Sequence, residues 1–308
     1  MLNQIRHVTM LCGVALGVLP TSPASAHPGS GIAVDAQGEV YFVHTGVGVF
    51  KVDGNGHLSR YAGPGFHFMI LDPENGFVSQ RWPRFPDGEI RTAGTTPKLL
   101  LASSFPLTIG PDGALYYPHA QNDDRVHVMR LRSGGQAVTF AVLPVMTEIG
   151  ADGKRGPARW IHGLAAGRDG TLYYAEQNAV RRIGSDGSVS LVAGDFTIAD
   201  CRPPSAGFEE RHRAALRGLD VAADGTIYVA ASGCSAVLRI TPAGAVSVVL
   251  RASDSWSPTG VAVAGTDLYV LEFRYIEVER AEDWLPRIRK VAQDGTPTVI
   301  ATMQEQTR

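Results

Sequence analysis

Histidines, carboxylates and an arginine recur at two fixed positions of a segment that repeats along this 308-residue chain. The first position lies immediately before an apolar run of β type, and the second lies just after the next such run. The first position is occupied by Ser30, His67, Phe105, His162, Arg217 and Thr259. The second is occupied by His44, His119, Glu176, Ala231 and Glu272, and falls near Arg81 in one irregular copy. Scattered surface histidines would not follow the repeat in this way.

These residue types favour metal or acid–base chemistry. Neutral imidazoles and carboxylates are the usual protein ligands of zinc and similar divalent ions. We therefore predict a divalent metal ion, zinc or calcium, held by histidines of this set: His44, His67, His119 and His162. Three such ligands with an open position lower the pKa of a bound water and polarise a carbonyl or leaving group. Without a metal, His162 or His119 could act as a general base oriented by Glu176.

The remaining members of the set suit substrate recognition. Arg217 could bind a substrate carboxylate or stabilise developing negative charge. We predict catalytic roles for His162, Glu176 and Arg217, and substrate contacts for Phe105, Thr259 and Glu272. An alternative stays open, because polar residues around a channel often only bond one another and hold water. In that case the protein is a non-catalytic module that binds a ligand or a protein.

All of these roles require distant residues to meet, which depends on the repeated element. Its clearest copy, residues 162–194, contains four short runs of β type. The runs are Gly163–Ala166, Thr171–Ala175, Ala179–Ile183 and Ser188–Val192. Asp-Gly pairs, at Asp169-Gly170 and Asp186-Gly187, mark tight turns between them. The pattern predicts a four-stranded meander, which cannot bury its faces alone.

Six such copies follow one another, beginning near residues 31, 64, 106, 162, 218 and 260. This spacing predicts an all-β, six-bladed β-propeller with four-stranded antiparallel blades, formed as one domain by residues 27–308. The copy over residues 64–104 is degenerate, and its Pro83 and Pro86 indicate an excursion at the rim because proline does not fit a central strand. In a propeller the two chemical positions fall on one face near the central channel. Whether the N-terminal segment completes the last blade is left open.

The repeated frame resembles a known superfamily. It is carried by Gly31-Ile32-Ala33-Val34-Asp35, by Gly170-Thr171-Leu172-Tyr173 and by Asp224-Gly225-Thr226-Ile227-Tyr228-Val229. It looks like the NHL-repeat propellers and the related gluconolactonase/regucalcin superfamily. In the gluconolactonase branch, Glu, Asn and Asp residues hold a divalent metal near the axis, and only Glu176 and Glu272 stand at comparable positions here. The resemblance implies a lactonase-like hydrolase, or a lyase, acting on a small oxygenated substrate.

The N-terminus differs from the repeats. An apolar stretch, Val8–Leu19, follows Arg6 and His7 and precedes Ala24-Ser25-Ala26. This pattern is typical of a secretory signal peptide over residues 1–26. Its apolar core is too short for a stable membrane anchor. We therefore predict an exported protein, periplasmic or extracellular, without a membrane anchor after signal cleavage.

Charge and cysteine content define the remaining expectations. A net charge of −2 and 44% hydrophobic residues describe a globular protein that does not bind nucleic acid. The expected partner is a small molecule, and a protein partner stays open. After loss of Cys12, the cysteines Cys201 and Cys234 remain on segments that should emerge on the same face. They predict one disulfide in an oxidising compartment, and two free buried thiols are the alternative.

Overall fold

The computed structural model describes residues 28–81, 89–120, 123, 125–149, 155–158, 161–176, 178–194, 196, 215–253, 255–274 and 284–303. Within these residues, six four-stranded antiparallel sheets follow one another along the chain. The predicted six-bladed propeller is therefore confirmed. No helix among the described residues is long and apolar enough to cross a membrane.

The first three blades are built from strands β1 to β12. Blade one contains β1 (Ile32–Val34), β2 (Val40–His44), β3 (Gly48–Val52) and β4 (Leu58–Ala62). Blade two contains β5 (Phe68–Asp72), β6 (Gln80–Arg81), β7 (Glu89–Ala93) and β8 (Lys98–Ala102). Blade three contains β9 (Thr108–Ile109), β10 (Leu115–Ala120), β11 (Val126–Leu131) and β12 (Val138–Val142). A separate two-stranded sheet of β13 (Met146–Ile149) and β14 (Arg155–Ala158) follows, in a connection for which the sequence predicts no strands.

The last three blades are built from strands β15 to β26. Blade four contains β15 (Gly163–Ala166), β16 (Leu172–Ala175), β17 (Ala179–Ile183) and β18 (Val189–Gly194). Blade five contains β19 (Leu216–Val221), β20 (Ile227–Ala231), β21 (Ala236–Ile240) and β22 (Val246–Arg251), with a 3-10 turn at Ser232–Cys234. Blade six contains β23 (Trp256–Ala264), β24 (Asp267–Arg274), β25 (Leu285–Val291) and β26 (Pro297–Thr302). The four runs predicted for blade four match its strands within two residues at each end.

Blade two departs from the predicted strand order. Five blades are simple meanders, whereas the order in blade two is β5-β8-β7-β6. The chain crosses from the innermost strand to the outer edge and then returns inward. The strand beside the innermost one is therefore β8, and Ser103 follows it. The position that the repeat predicts near Arg81 is wrong. The proline-rich residues 82–88, predicted to lie at the rim, are outside the described residues.

The innermost strands of all six blades surround a central channel. The cavity along this channel measures about 490 Å³. Glycines begin several of these strands because neighbouring blades approach closely there. A Cβ added at Gly163 would lie 2.5 Å from the carbonyl oxygen of Arg217, and one at Gly260 would collide with the carbonyl of Ser30. The repeated glycine of the sequence frame is thus explained by crowding at the axis.

The ring closes without an exchanged strand among the described residues. All four strands of blade six come from residues 256–302, and β23 packs beside β1. Apolar residues of both blades, including Ile32 and Phe273, share one buried cluster. The Thr259 hydroxyl donates to the Gly29 carbonyl at 2.7 Å, which ties blade six to the segment entering blade one. Within the described residues, blades six and one therefore close the ring by packing side by side, without a strand of the N-terminal segment in blade six.

A partly buried carboxylate joins blades five and six at the channel. Asp220 Oδ2 accepts a hydrogen bond from the Val263 backbone N–H at 2.7 Å, and Oδ1 accepts from Val221 N–H at 2.8 Å. Burial raises the pKa of Asp220 to about 6. An innermost strand has no strand partner on its axial side, so its edge groups need such acceptors or water. Asp220 supplies one of them to β23.

Candidate functional site

One face of the propeller carries the residues predicted to do chemistry. In the five meander blades, the innermost strand begins and the second strand ends on this face, which we call the upper face. His67, Phe105 and His162 precede the innermost strands β5, β9 and β15. Arg217 and Thr259 lie within β19 and β23, at irregularities of the strand register. The repeat thus places residues from all six blades at the same end of the channel.

Blades six and one fill their part of the upper face with buried groups. His44, Thr259 and Glu272 are 3%, 2% and 0% exposed. The His44 ring lies between two phenylalanines, with centroid distances of 6.2 Å to Phe50 and 6.3 Å to Phe273. This part of the face is closed to a ligand unless the packing changes.

Glu272 is the centre of a buried ion-pair cluster in blade six. Its Oε2 accepts from Arg287 Nε at 2.5 Å, and its Oε1 accepts from Arg289 at 3.4 Å. The Arg287 guanidinium also stacks on Trp256, 4.0 Å from the ring centroid, and donates to Ser253 Oγ at 3.2 Å. Arg287 lies directly opposite Glu272 in the β24–β25 ladder. The role of Glu272 in substrate binding stays a prediction, and its observed bonds are to arginines.

Blades two to five leave their polar groups partly exposed on the upper face. His67, His119, His162 and Arg217 are all half-buried. His67 Nδ1 donates to the Ser103 carbonyl, and its Nε2 atom is buried. An Arg217 N–H donates to the Pro28 carbonyl at 3.4 Å, and the Arg217 backbone lies against Gly163 of blade four. The partly exposed imidazoles and the guanidinium at these positions therefore belong to blades two to five.

Glu176 is held by an arginine rather than by His162. Its Oε1 accepts from Arg181 Nε at 2.6 Å, and both side chains are partly exposed. Arg181 was not among the residues singled out in the sequence. The strand register indicates this partner: Arg181 on β17 lies opposite Tyr174 on β16, and Tyr174 is two residues before Glu176. A role for Glu176 in orienting His162 stays a prediction.

Two histidines of blade three lie side by side. His119 on β10 is the direct cross-strand partner of His127 on β11, and His127 Nε2 donates to Asp123 Oδ2 at 2.9 Å. Burial, and secondarily the neighbouring His127, lower the pKa of His119. His119 is therefore held in its neutral form near pH 7, as a general base requires. The repeat does not single out His127, and only the cross-strand register shows that it lies beside His119.

Phe105 lies between the channel mouth and the core. It is 7% exposed, and its ring packs 5.8 Å from that of Tyr117. Tyr117 is fully buried, and burial raises its pKa to about 12. The contacts of Phe105 are thus those of a core residue, and its predicted contact with substrate stays a prediction.

The predicted metal ligands do not fit a metal site within the described part of the chain. No three His, Cys, Asp or Glu side chains there form a group that could hold an ion. Of the four predicted histidines, His44 is packed in the core and His67 is bonded to a carbonyl. His119 and His162 remain partly exposed, and two imidazoles alone do not complete a site.

Cys234 is disulfide-bonded and buried beside the end of β20. Its predicted partner, Cys201, lies outside the described residues, as does the signal segment 1–26. The pairing of these two cysteines stays a prediction.

Comparisons with known proteins support the fold. Neither a protein-family model nor a curated protein matches the sequence. Among solved structures, a putative gluconolactonase is similar with a TM-score of 0.52 and 18% identity, over 78% of this chain and 84% of that chain. The calcium-binding protein regucalcin from Agrobacterium tumefaciens gives 0.51 and 14%, over 79% and 81%. The aldose sugar dehydrogenase from Streptomyces coelicolor, in its PQQ-bound form, gives 0.51 and 15%, over 80% and 89%. The predicted resemblance to gluconolactonase- and regucalcin-like propellers is thus confirmed for the fold.

Proposed function

We propose that the protein is an enzyme that hydrolyses, or eliminates from, a small oxygenated substrate such as a lactone at the upper face. One observation supports this proposal: His67, His119, His162 and Arg217 are half-buried, while the groups at equivalent positions of blades six and one are buried. Partly buried ionisable groups with a shifted pKa, as at His119, favour a catalytic site. The similarity in fold to a putative gluconolactonase agrees with this choice.

The roles follow from the state of each side chain. His119 acts as the general base, because its lowered pKa keeps it neutral, and takes a proton from the attacking water or from the substrate. Arg217 binds the substrate carboxylate or the developing oxyanion. His162, on blade four between the blades of His119 and Arg217, binds the substrate oxygen atoms. The described donors do not fit a metal ion, so no step is assigned to one.

Replacing His119 with glutamine is expected to lower kcat/KM about a hundredfold, within the usual contribution of a general base. The measurement is a hydrolysis assay on a panel of five- and six-membered lactones and aryl esters. The wild-type rate should stay level through the pH range in which an ordinary histidine is protonated and fall only at lower pH, because the lowered pKa of His119 delays loss of the base.

The matched control is His57→Gln, since His57 is exposed in a turn of blade one and should leave the rate unchanged. Equal rates for wild type and H119Q on every hydrolysed substrate would overturn the assignment. Saturable binding of a panel member without turnover would instead identify the non-catalytic binding module.

We further propose that the protein is exported, on the basis of the apolar stretch before Ala24-Ser25-Ala26. The expected mature chain begins at His27. Mass spectrometry of the protein from the periplasmic and culture fractions measures this N-terminus directly. Cell-associated protein that still begins at residue 1 would contradict the proposal.

A further inference from the structure

A second cavity lies on the face opposite the proposed active site, between blades four and five. Its volume is about 400 Å³, and it is bordered by turns that join the first and second strands of these blades. Polar side chains in its wall are Arg168, Asp169, Tyr173, Arg182 and Asp224. Val192, Val221 and Pro242 supply an apolar part of the wall.

Arg182 belongs to a pair that five blades repeat. In each, a tyrosine on the second strand lies directly opposite a cation on the third. The pairs are Tyr41/Lys51, Tyr116/Arg130, Tyr173/Arg182, Tyr228/Arg239 and Tyr269/Lys290. In three blades a carboxylate at the nearby turn neutralises the cation: Lys51 with Glu39 at 2.9 Å, Arg130 with Asp112, and Lys290 with Asp267 at 2.7 Å.

Among the described residues, blades four and five lack such a pair, and in blade four a threonine occupies the turn carboxylate. Asp169 Oδ2 accepts from the Thr171 hydroxyl at 2.9 Å, and Oδ1 accepts from the Thr171 N–H at 3.0 Å. Arg182 donates instead to Ser190 Oγ at 2.9 Å and has no carboxylate within ion-pair distance in the described part of the chain. Blade three has Ala114 at the position of Thr171, and there the turn carboxylate of Asp112 does pair with Arg130. Thr171 therefore explains why Arg182 keeps an uncompensated charge.

A second cation enters the same cavity at a turn position that is small or neutral elsewhere. Arg168 stands where blades one, three and five have Ala36, Pro111 and Ala223. It is exposed and forms no ion pair with any described residue. The carboxylate of Asp224, also in the wall, accepts from the Thr226 N–H at 2.9 Å. Both wall carboxylates are thus engaged by their own turns, and both guanidinium groups have donors to offer.

We propose that this cavity on the lower face binds a small oxyanion, a carboxylate or a phosphate, between Arg168 and Arg182. Guanidinium groups bind both kinds of oxyanion through charge-assisted, often paired hydrogen bonds. The apolar wall accommodates the carbon skeleton of an organic anion. The site is separate from the upper face and does not depend on the proposed catalytic activity.

Isothermal titration calorimetry with inorganic phosphate and with succinate tests the proposal on the full mature protein. We expect one saturable site per chain for at least one of the two anions. The anion that binds shows whether the site takes phosphates or carboxylates. Arg168→Gln and Arg182→Gln should each weaken binding at least about tenfold, as expected for loss of a charged hydrogen bond. Thr171→Ala should weaken it similarly without removing a cation, because Asp169 becomes able to pair with Arg182 as in blade three.

The matched control is Arg132→Gln, a lower-face arginine whose side chain is 67% exposed. It should leave the affinity unchanged, as should His119→Gln on the opposite face. Circular dichroism of each variant verifies its fold. Absence of saturable binding for both anions, or equal weakening by R132Q, would overturn the proposal.

Discussion

Replacing Glu272 with glutamine is expected to lower the free energy of unfolding by about 3–5 kcal/mol. Glutamine keeps the size of the side chain and removes its charge. Two guanidinium groups, Arg287 and Arg289, then remain together with no carboxylate between them. Their side chains are only 11% and 13% exposed, so water compensates them poorly. Urea denaturation at neutral pH, followed by tryptophan fluorescence, measures the loss.

The size of this effect depends on burial rather than on the ion pair itself. Glu89 and Arg91 also form a short pair, at 2.7 Å, yet their side chains are 28% and 45% exposed. Glu89→Gln should therefore cost less than about 1 kcal/mol. A loss for E272Q no greater than that for E89Q would show that the cluster is not a structural element of blades five and six. Low salt dependence of the E272Q effect is also expected, because buried charges are poorly screened.

The fold followed from the sequence where local pattern and turn chemistry agreed. In blade four, alternating runs and Asp-Gly turns specify both the strands and their order. Blade two has a turn but no Asp-Gly pair after its innermost strand, and β5 pairs with β8, the last strand of the blade. That pairing is set by contacts between residues some thirty positions apart, such as Phe68 and Ala102. A local pattern cannot distinguish it from a meander.

The candidate site was predictable in position but not in exposure. The repeat places His44 and His119 at equivalent positions, yet one is packed between phenylalanines and the other is half-buried. Cross-strand neighbours decide this difference, as Arg287 does for Glu272 and Arg181 for Glu176. Such partners lie on the third strand, which the repeat argument did not include. Burial therefore requires the register of the whole blade, not only its two inner strands.

Replacing Gly260 with alanine is expected to destabilise the propeller by about 3 kcal/mol, at the upper end of overpacking effects. The new Cβ would collide with the carbonyl oxygen of Ser30 and lie 2.9 Å from its carbon. Both are backbone atoms, so no side-chain rotation relieves the contact. Ser30 is also where the chain enters blade one, and the collision therefore acts on the junction that closes the ring.

The control is Gly54→Ala, because a Cβ at Gly54 meets no atom within 4 Å and its backbone is not left-handed. Thermal unfolding should show a clear fall in Tm for G260A and almost none for G54A. Limited proteolysis adds a local measure: if β23 and the segment before β1 separate, cleavage near residues 28–31 should become faster in G260A alone. Equal stability of both variants would mean that blades one and six have room to move apart, and that the closure rests on the shared apolar cluster rather than on close backbone contact at the axis.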